Sequence, residues 1–568
     1  MKILLYLSIS ALFISSCQTQ KSAESLYFGG TILTMEDSSP QVEAVVVKNG
    51  KIFFAGSKAE ADHHVNSKTK MIDLNGKTLL PGFIDVHGHF TSRAGLIQAI
   101  DLFPEPYGTV TSIKDLQNTI RNSIIKNKIS DNQPVIGNGY DDAIMTEHRH
   151  PTKDELNAIS TTNPIIVIHT SGHASVANSA MLKLLNLSDS SKDPEGGYLG
   201  RDKNGKLNGK LEENASFKAL LTITEKMKTG DSKAQAMNNL MKAQEEWLSY
   251  GQTTICDGRT MGGSVDLLEQ AATEGLFKAD VVYFPDYEYF KKDLDVFKPK
   301  YMKYKNHLKL GGFKFSDDGS PQGKTAWLTQ PYLVPPEGQS KDYKGFPIFT
   351  DETLYEDLKT LFQNHITAQL HVNGDAAIDQ TIRVIKKLKD ENIYTPELRA
   401  TLIHVQNSRP DHIQKIKELG VIPSYFSTHT YLWGDWHYSS VFGPGRASFI
   451  SPANSALKAG IIFTIHHDAP VTPPDLITAV YAAVNRKTRS GRILGSNERI
   501  TTIEALKAIT INAAYQLQEE NRKGSIKEGK LADFVILDQN PLTIDPEKIR
   551  SIKVLETIKE DIPVYIRK

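Results

Sequence analysis

Eight short apolar runs recur along the middle of this chain, each followed by a stretch of helical periodicity, and that alternation constrains the fold more than any other feature. They are GFIDVHGH near 83, QTTICDG near 253, ADVVYF near 280, LGGFKFSDDG near 311, TAQLHVNGD near 368, ATLIHVQ near 401, GVIPSYF near 420 and GIIFTIHHDAP near 460. Eight strand–helix units predict a closed (β/α)8 barrel of the TIM type, an α/β fold whose active sites lie where the strands end. The gap of about 91–250 after the first run is far too long for one crossover helix. It holds further strand-like runs, PVIGNGYDD and PIIVIHTSGH, and reads as an insertion over the barrel mouth. Those two runs compete for places among the eight.

Both ends of the chain read as β structure. LYFGGTILTM, VEAVVVKNGKIFFAG and KMIDLNGKTLLPG are separated by Gly and Asn-Gly turns, and GKLADFVILDQNPL and IPVYIRK follow near the C-terminus. We therefore expect a small β-sandwich domain built from 26–80 and 521–568, flanking a barrel over 81–520. The 568 residues, 39% hydrophobic and 23% charged, suit a multidomain globular protein. Lys+Arg and Asp+Glu both number 66, so no charge excess points to nucleic acid. Two cysteines, Cys17 and Cys256, exclude a disulfide framework and any Cys-based zinc cluster.

Residues 1–16 read as a signal peptide: a lysine at position 2, an apolar core too short to span a bilayer, then small residues. ISSC, ending at Cys17, resembles the lipobox of bacterial lipoproteins, against a plain signal peptide cut nearby. On the first reading Cys17 is lipidated and 17–25 is a polar tether. The expected place is then the bacterial cell envelope, held by the lipid anchor, with Gln18 favouring the outer membrane.

In an extended strand alternate side chains share a face, which puts His87 and His89 together with Gly88 opposite. Two neutral imidazoles held so can grip one metal ion, or can end a strand with no chemistry; the pair alone leaves both open. Other runs add to it. The fourth carries Lys314, the fifth His371, the sixth His404 and the eighth Asp468, each at the carboxyl end of its run. Six titratable or ligand-type residues so placed are hard to explain one by one as structural residues, and together they point to a shared site.

These segments resemble the amidohydrolase superfamily and, within it, the YtcJ-like, amidohydrolase-3 type of metal-dependent hydrolase. The likeness runs from LPGFIDVHGHF through GGFKFSDDGSPQGKTAWL, LHVNGDAAID, IHVQ and HHDAPV to TIEALKAITINAAYQL and KGSIKEGKLADFVILDQNPL. It implies one or two divalent ions, zinc first among candidates, with His87 and His89 on the more buried ion and His371 and His404 on the more exposed one. Lys314 is implied as an Nζ-carboxylated bridge, since an ammonium repels a cation and a carbamate does not. Asp468 is implied as ligand and general base, passing a proton from the attacking water to the leaving nitrogen. The implied reaction is hydrolysis of a C–N bond in a small amide-type substrate (N-acyl, N-formyl or similar). A carbamate, urea-like, ester or lactone bond, or a non-catalytic ligand-binding lipoprotein, are the alternatives. A homo-oligomer is compatible with the sequence.

On the substrate side, the resemblance places His173 facing the site, with His169 a weaker candidate. Glu212 and Glu213, in a segment near the mouth, either reach the substrate or start a solvated helix, the second reading being preferred. His429, with Trp433, Trp436 and His437, follows the seventh run and either lines an apolar pocket or packs a loop. His466 and His467 stand where many relatives have Gly or Ser. A hydrogen bond to a ligand is expected of them, and competition for metal would disturb the site.

Overall fold

The computed structural model describes residues 24–568 apart from 195, 227–231 and 337; the signal segment and Cys17 lie outside them. All eight predicted runs are barrel strands. They are Phe83–Ile84, Gln252–Thr260, Asp280–Pro285, a fourth in two halves (Leu308–Leu310 and Phe313–Ser316), Ala368–Val372, Thr401–His404, Ile422–Tyr425 and Thr464–Ile465. Neighbours pair in parallel around the barrel. The fourth strand breaks at Gly311–Gly312: its first half pairs with the third strand and its second half with the fifth. Gly312 has φ +147°, and a Cβ there would stand 2.6 Å from the Thr367 carbonyl oxygen, so only glycine permits the break. At the mouth the eighth strand meets the first: Asp468 N–H donates to His87 O (3.1 Å) and His89 N–H to Ala469 O (2.6 Å).

The residues after the first strand form a layer of their own. Its sheet has six strands, Ile100–Asp101, Val135–Tyr140, Ile165–His169, Ala174–Ala177, Gly197–Arg201 and Leu207–Glu213. The two runs that competed for the barrel belong here. The long helix Ser232–Ser249 leads back to the second barrel strand and buries Trp247.

Strands from both chain ends share one eight-stranded sheet, in which Phe534–Leu537 pairs antiparallel with Thr78–Pro81. Alternation splits its faces: Phe534 and Ile536 join Val45 and Val47 in the sheet's own core, while Val535 and Leu537 join the barrel core. A buried ion network fastens this sheet to the barrel. Asp280, at the start of the third strand, meets Lys523, Lys559 (3.0 Å) and His307 (2.8 Å). Lys559 also meets Asp533 at 2.8 Å, and Lys523 meets Glu519 at 2.7 Å. Burial alone would push the Asp280 carboxyl up, but Lys523 and Lys559 hold it well below the usual carboxylate range.

Asp280→Ala would leave two buried ammonium groups short of a counter-charge. A loss of about 3–5 kcal/mol is expected in the denaturant-induced unfolding of the barrel. Because the native carboxyl is depressed, its stabilisation is full above the ordinary carboxylate range and is lost as pH falls toward the native value.

Candidate metal centre

The two imidazoles lie past the end of the first strand, His87 in a bend and His89 at the start of the helix Phe90–Leu96, so the loop rather than the strand alternation expected of them brings them together. His87 Nε2 and His89 Nε2 lie 3.4 and 3.1 Å from the same oxygen, Asp468 Oδ1. Glycine is required twice around them. A Cβ on Gly88 would stand 2.7 Å from Asp85 Oδ2 and 2.9 Å from the His467 ring, and one on Gly258 would stand 2.5 Å from His87 Nδ1. His87 is fully buried, and its Nδ1 lies 3.2 Å from Gln369 Oε1. Gln369 donates its Nε2–H to the Val86 carbonyl oxygen (3.1 Å), so its oxygen faces the ring. His87 therefore donates from Nδ1 and keeps the Nε2 lone pair free toward Asp468.

Lys314 Nζ lies 3.3 Å from His87 Nε2, with the side chain buried. Burial holds its ammonium down to about 7, against the pull of Asp468. His371 Nδ1 lies 3.2 Å from Asp318 Oδ1, and its ring centroid is 4.6 Å from that of His404. Asn373 Nδ2 sits 3.2 Å from His371 Nε2. His404 Nδ1 lies 3.0 Å from His466 Nε2, and His466 Nδ1 lies 2.9 Å from Ser424 Oγ. Burial, reinforced by neighbouring charge, holds His87, His371 and His404 well below the ordinary histidine value, so all three are neutral and offer lone pairs.

Three residues here hold left-handed backbone: His404 (φ 73°), Val405 (φ 46°) and Asp468 (φ 57°). None is glycine and Val405 is β-branched, so each costs on the order of 1–3 kcal/mol that surrounding contacts must offset.

The six expected ligand-type residues thus converge on one end of the barrel. The donor set fits a divalent cation on an independent ground. Asp468 Oδ1 is buried with no hydrogen-bond donor in line, although two imidazole nitrogens stand within 3.4 Å. Lone pairs turned toward a shared focus, rather than toward each other, are the geometry of ligands.

The remaining candidates divide. His173 is in the site: its Nδ1 meets Glu213 Oε2 at 2.9 Å and its ring is 6.4 Å from that of His371. Burial opposes charging, but Glu213 outweighs it and raises the His173 value. Glu213 is no solvated helix start. It ends a strand, has φ 48° and is largely buried, whereas Glu212 pairs with Lys210 at 2.8 Å. His169 Nδ1 meets Ser171 Oγ at 2.8 Å and its Nε2 lies 2.9 Å from Asp142. His429 stands apart from the ligands. It packs on Phe426 and Trp433, and its Nδ1 meets His437 Nε2 at 2.9 Å. Trp433 is buried and donates to Asp141 Oδ2 (2.6 Å), while Trp436 donates to the Gln322 carbonyl oxygen, so the seventh loop is packed rather than open.

His466 and His467 do not compete for the focus. His467 accepts the Ala469 N–H at Nδ1 (3.0 Å) and turns Nε2 toward Gln252 (3.2 Å) and Asp85 (3.4 Å). Asp85 in turn accepts from Trp247 Nε1 at 2.9 Å and from the His87 N–H at 2.9 Å. Sequence reading missed Asp85, Gln369 and Asp318. The first two lie two residues before a ligand-type histidine, Gln369 on the same strand face as His371, and that spacing is the signal that finds them.

Residues 70–565 match the sequence pattern of the amidohydrolase family. An N-substituted formamide deformylase of Arthrobacter pascens is 25% identical over 554 residues, covering 95% of this chain and 98% of that protein. The putative amidohydrolase YtcJ of Bacillus subtilis is 24% identical over 559 residues, 95% and 99% of the two chains. In fold, the chain is similar to an uncharacterized metal-dependent hydrolase from Pyrococcus horikoshii, with a TM-score of 0.72, 24% identity and coverage of 92% and 99%. With the match extending from the small β-sheet through every barrel strand, the chain belongs to the amidohydrolase family.

Proposed function

We propose that this chain is a zinc-dependent hydrolase of amide-type C–N bonds, acting on N-formyl or N-acyl compounds at the bacterial envelope. The observation that carries the reading is Asp468 Oδ1, set within 3.4 Å of both His87 and His89 and free of any hydrogen bond of its own. The substrate class draws on the relative named as a deformylase of N-substituted formamides, aligned over 95% of this chain.

His87, His89 and Asp468 would hold one zinc ion, and His371 and His404 a second, with carboxylated Lys314 between them. A divalent ion in such a site lowers the pKa of water to about 7 and polarises a carbonyl group. Lys314 is suited to the bridging place by position, 3.3 Å from His87 Nε2. As an ammonium it would repel the cations; as a carbamate it supplies two anionic oxygens.

The chain's own groups handle orientation and protons. Asp468 takes the proton of the attacking water and returns it to the nitrogen of the leaving amine. His173, whose protonated form Glu213 favours against burial, would supply a donor to the oxygen on which charge develops. His466 and Ser424 fix the ring of His404. With Nδ1–H of His404 donating to His466 Nε2, and Nδ1–H of His466 donating to Ser424 Oγ, the Nε2 of His404 keeps its lone pair toward the centre.

Zinc-loaded protein is expected to release formate or a carboxylic acid from a panel of N-formyl and N-acyl amines; no turnover across the panel sinks the reading. Asp468→Asn should lower kcat by about 10²–10⁴-fold while much of the bound metal stays, as metal analysis of the purified variant would show. His466→Phe should weaken zinc binding by about 10–100-fold in chelator competition, with the circular dichroism of the fold unchanged. Cys17→Ser should abolish incorporation of labelled fatty acid in the producing cell and release the protein from the membrane fraction.

A further inference from the structure

Arg259 stands near the end of the second barrel strand, Gln252–Thr260, and no step described above uses it. Its backbone surroundings place it at the mouth. Two residues earlier Asp257 bridges to His89, and Asp286, the ion partner of Arg259, bridges to Lys314. Arg259 Nε donates to Asp286 Oδ2 at 2.8 Å, while Asp286 Oδ1 accepts the Tyr289 N–H at 3.0 Å and caps the short helix Tyr287–Phe290. Asp286 is thus a fixed post that holds the guanidinium by its Nε edge. The two Nη groups have no hydrogen-bond partner among the described residues, and the side chain is 32% exposed.

A line of side chains joins Arg259 to the centre. Its Cζ lies 5.9 Å from the ring centroid of Phe217, on the insertion helix Asn214–Lys226. The Phe217 ring is 5.9 Å from that of His173, which is 6.4 Å from that of His371. Burial is the largest influence on the protonation of Lys314, His371 and His173, and the Arg259 charge acts on all three in one sense, against a further proton. Its field therefore reaches the place where a substrate would sit. A guanidinium stays charged at every working pH, and its planar fork matches the two oxygens of a carboxylate. With Nε committed to Asp286, the end-on pair Nη1 and Nη2 is the part left to grip them. We infer that Arg259 binds a carboxylate of the substrate, which makes the substrates N-formyl or N-acyl amino acids. The inference rests on the hydrolase reading above. A formyl group has no place for a carboxylate, so the charge sits on the amine half. A neutral end group leaves the Nη donors to water, and an ammonium meets like charge. A purely structural Arg259, balancing Asp286 and packing on Phe217, would treat charged and neutral end groups alike.

The test is a short homologous series of N-formyl amino acids, from N-formylglycine upward, each compared with its carboxamide and its methyl ester. Both kcat/KM and, by calorimetry, affinity for the zinc-loaded protein are measured. At the best spacing the carboxylate is expected to exceed both neutral forms by about 10–100-fold. Arg259→Gln should erase that preference by raising KM for the carboxylates. Arg259→Lys should keep part of it, since the charge stays while the fork is lost. Urea unfolding reports whether each variant folds, and the wild-type series decides by itself where neither does. Carboxylates no better than the neutral forms at every spacing overturn the assignment, as does an equal loss on all three end groups in Arg259→Gln. A carboxylate preference in binding that Arg259→Gln removes, with no turnover of any compound, leaves the assignment standing and sinks the hydrolase reading alone.

Discussion

Everything at the centre depends on how the barrel closes. The eighth strand reaches the first through two backbone hydrogen bonds, Asp468 N to His87 O and His89 N to Ala469 O. The first joins two residues whose side chains meet at the shared focus, and the second ties His89 to the residue after Asp468. The same few atoms therefore complete the cylinder and build the site. Left-handed backbone at Asp468, and again at His404 and Val405, shows that the chain adopts unfavourable conformations where strands end. The offset comes from packing beneath, where large apolar side chains from the barrel strands and their helices form one continuous core.

Support for the gathered side chains comes from the barrel and from the insertion. Asp85 gathers bonds from Trp247 on the helix that returns from the insertion, from the Cys256 N–H on the second strand and from the His87 N–H. Asp318 does the same beside His371, accepting the backbone N–H groups of Asn373 (2.9 Å), Gly374 (2.7 Å) and Trp327 (3.0 Å). Burial pushes its carboxyl up to about 7 despite those donors. The insertion layer is tied down over the mouth by Thr170 Oγ1 to the Val471 carbonyl oxygen (2.9 Å) and by Trp433 to Asp141. It is part of the site's wall rather than an appendage.

The barrel, and the six side chains that gather at its mouth, were legible because both rest on local rules. Period-two alternation tells which residues share a face, and a histidine, lysine or aspartate at the end of an apolar run has a restricted set of uses. What stayed hidden depends on contacts between distant segments. The run LGGFKFSDDG reads as one strand, yet its glycine pair breaks it into halves that pair with different neighbours. Asp318 reads as the polar end of SDDG, and nothing nearby says that His371 will lean on it. Glu213 read as a solvated helix start because its neighbours Glu212 and Asn214 are polar, and only the fold brings it to His173. His466 and His467 stood out as departures from the resemblance, and their division of labour, one behind His404 and one behind Asp85, needed coordinates.

Three carboxylate–imidazole contacts in this region show how the same two groups take different parts. Glu213 and His173 share a formed hydrogen bond at 2.9 Å, and the pair keeps a proton. Asp318 stands behind His371 at Nδ1, and with Asn373 at the other ring nitrogen it fixes the ring's orientation. Asp468 lies as close to His87 and His89, yet its oxygen lines up with no donor. Distance alone does not separate these cases, since all fall between 2.9 and 3.4 Å. The direction of the lone pairs does. A proton is held where a donor points at an acceptor, and a cation belongs where acceptors point past one another at a common place.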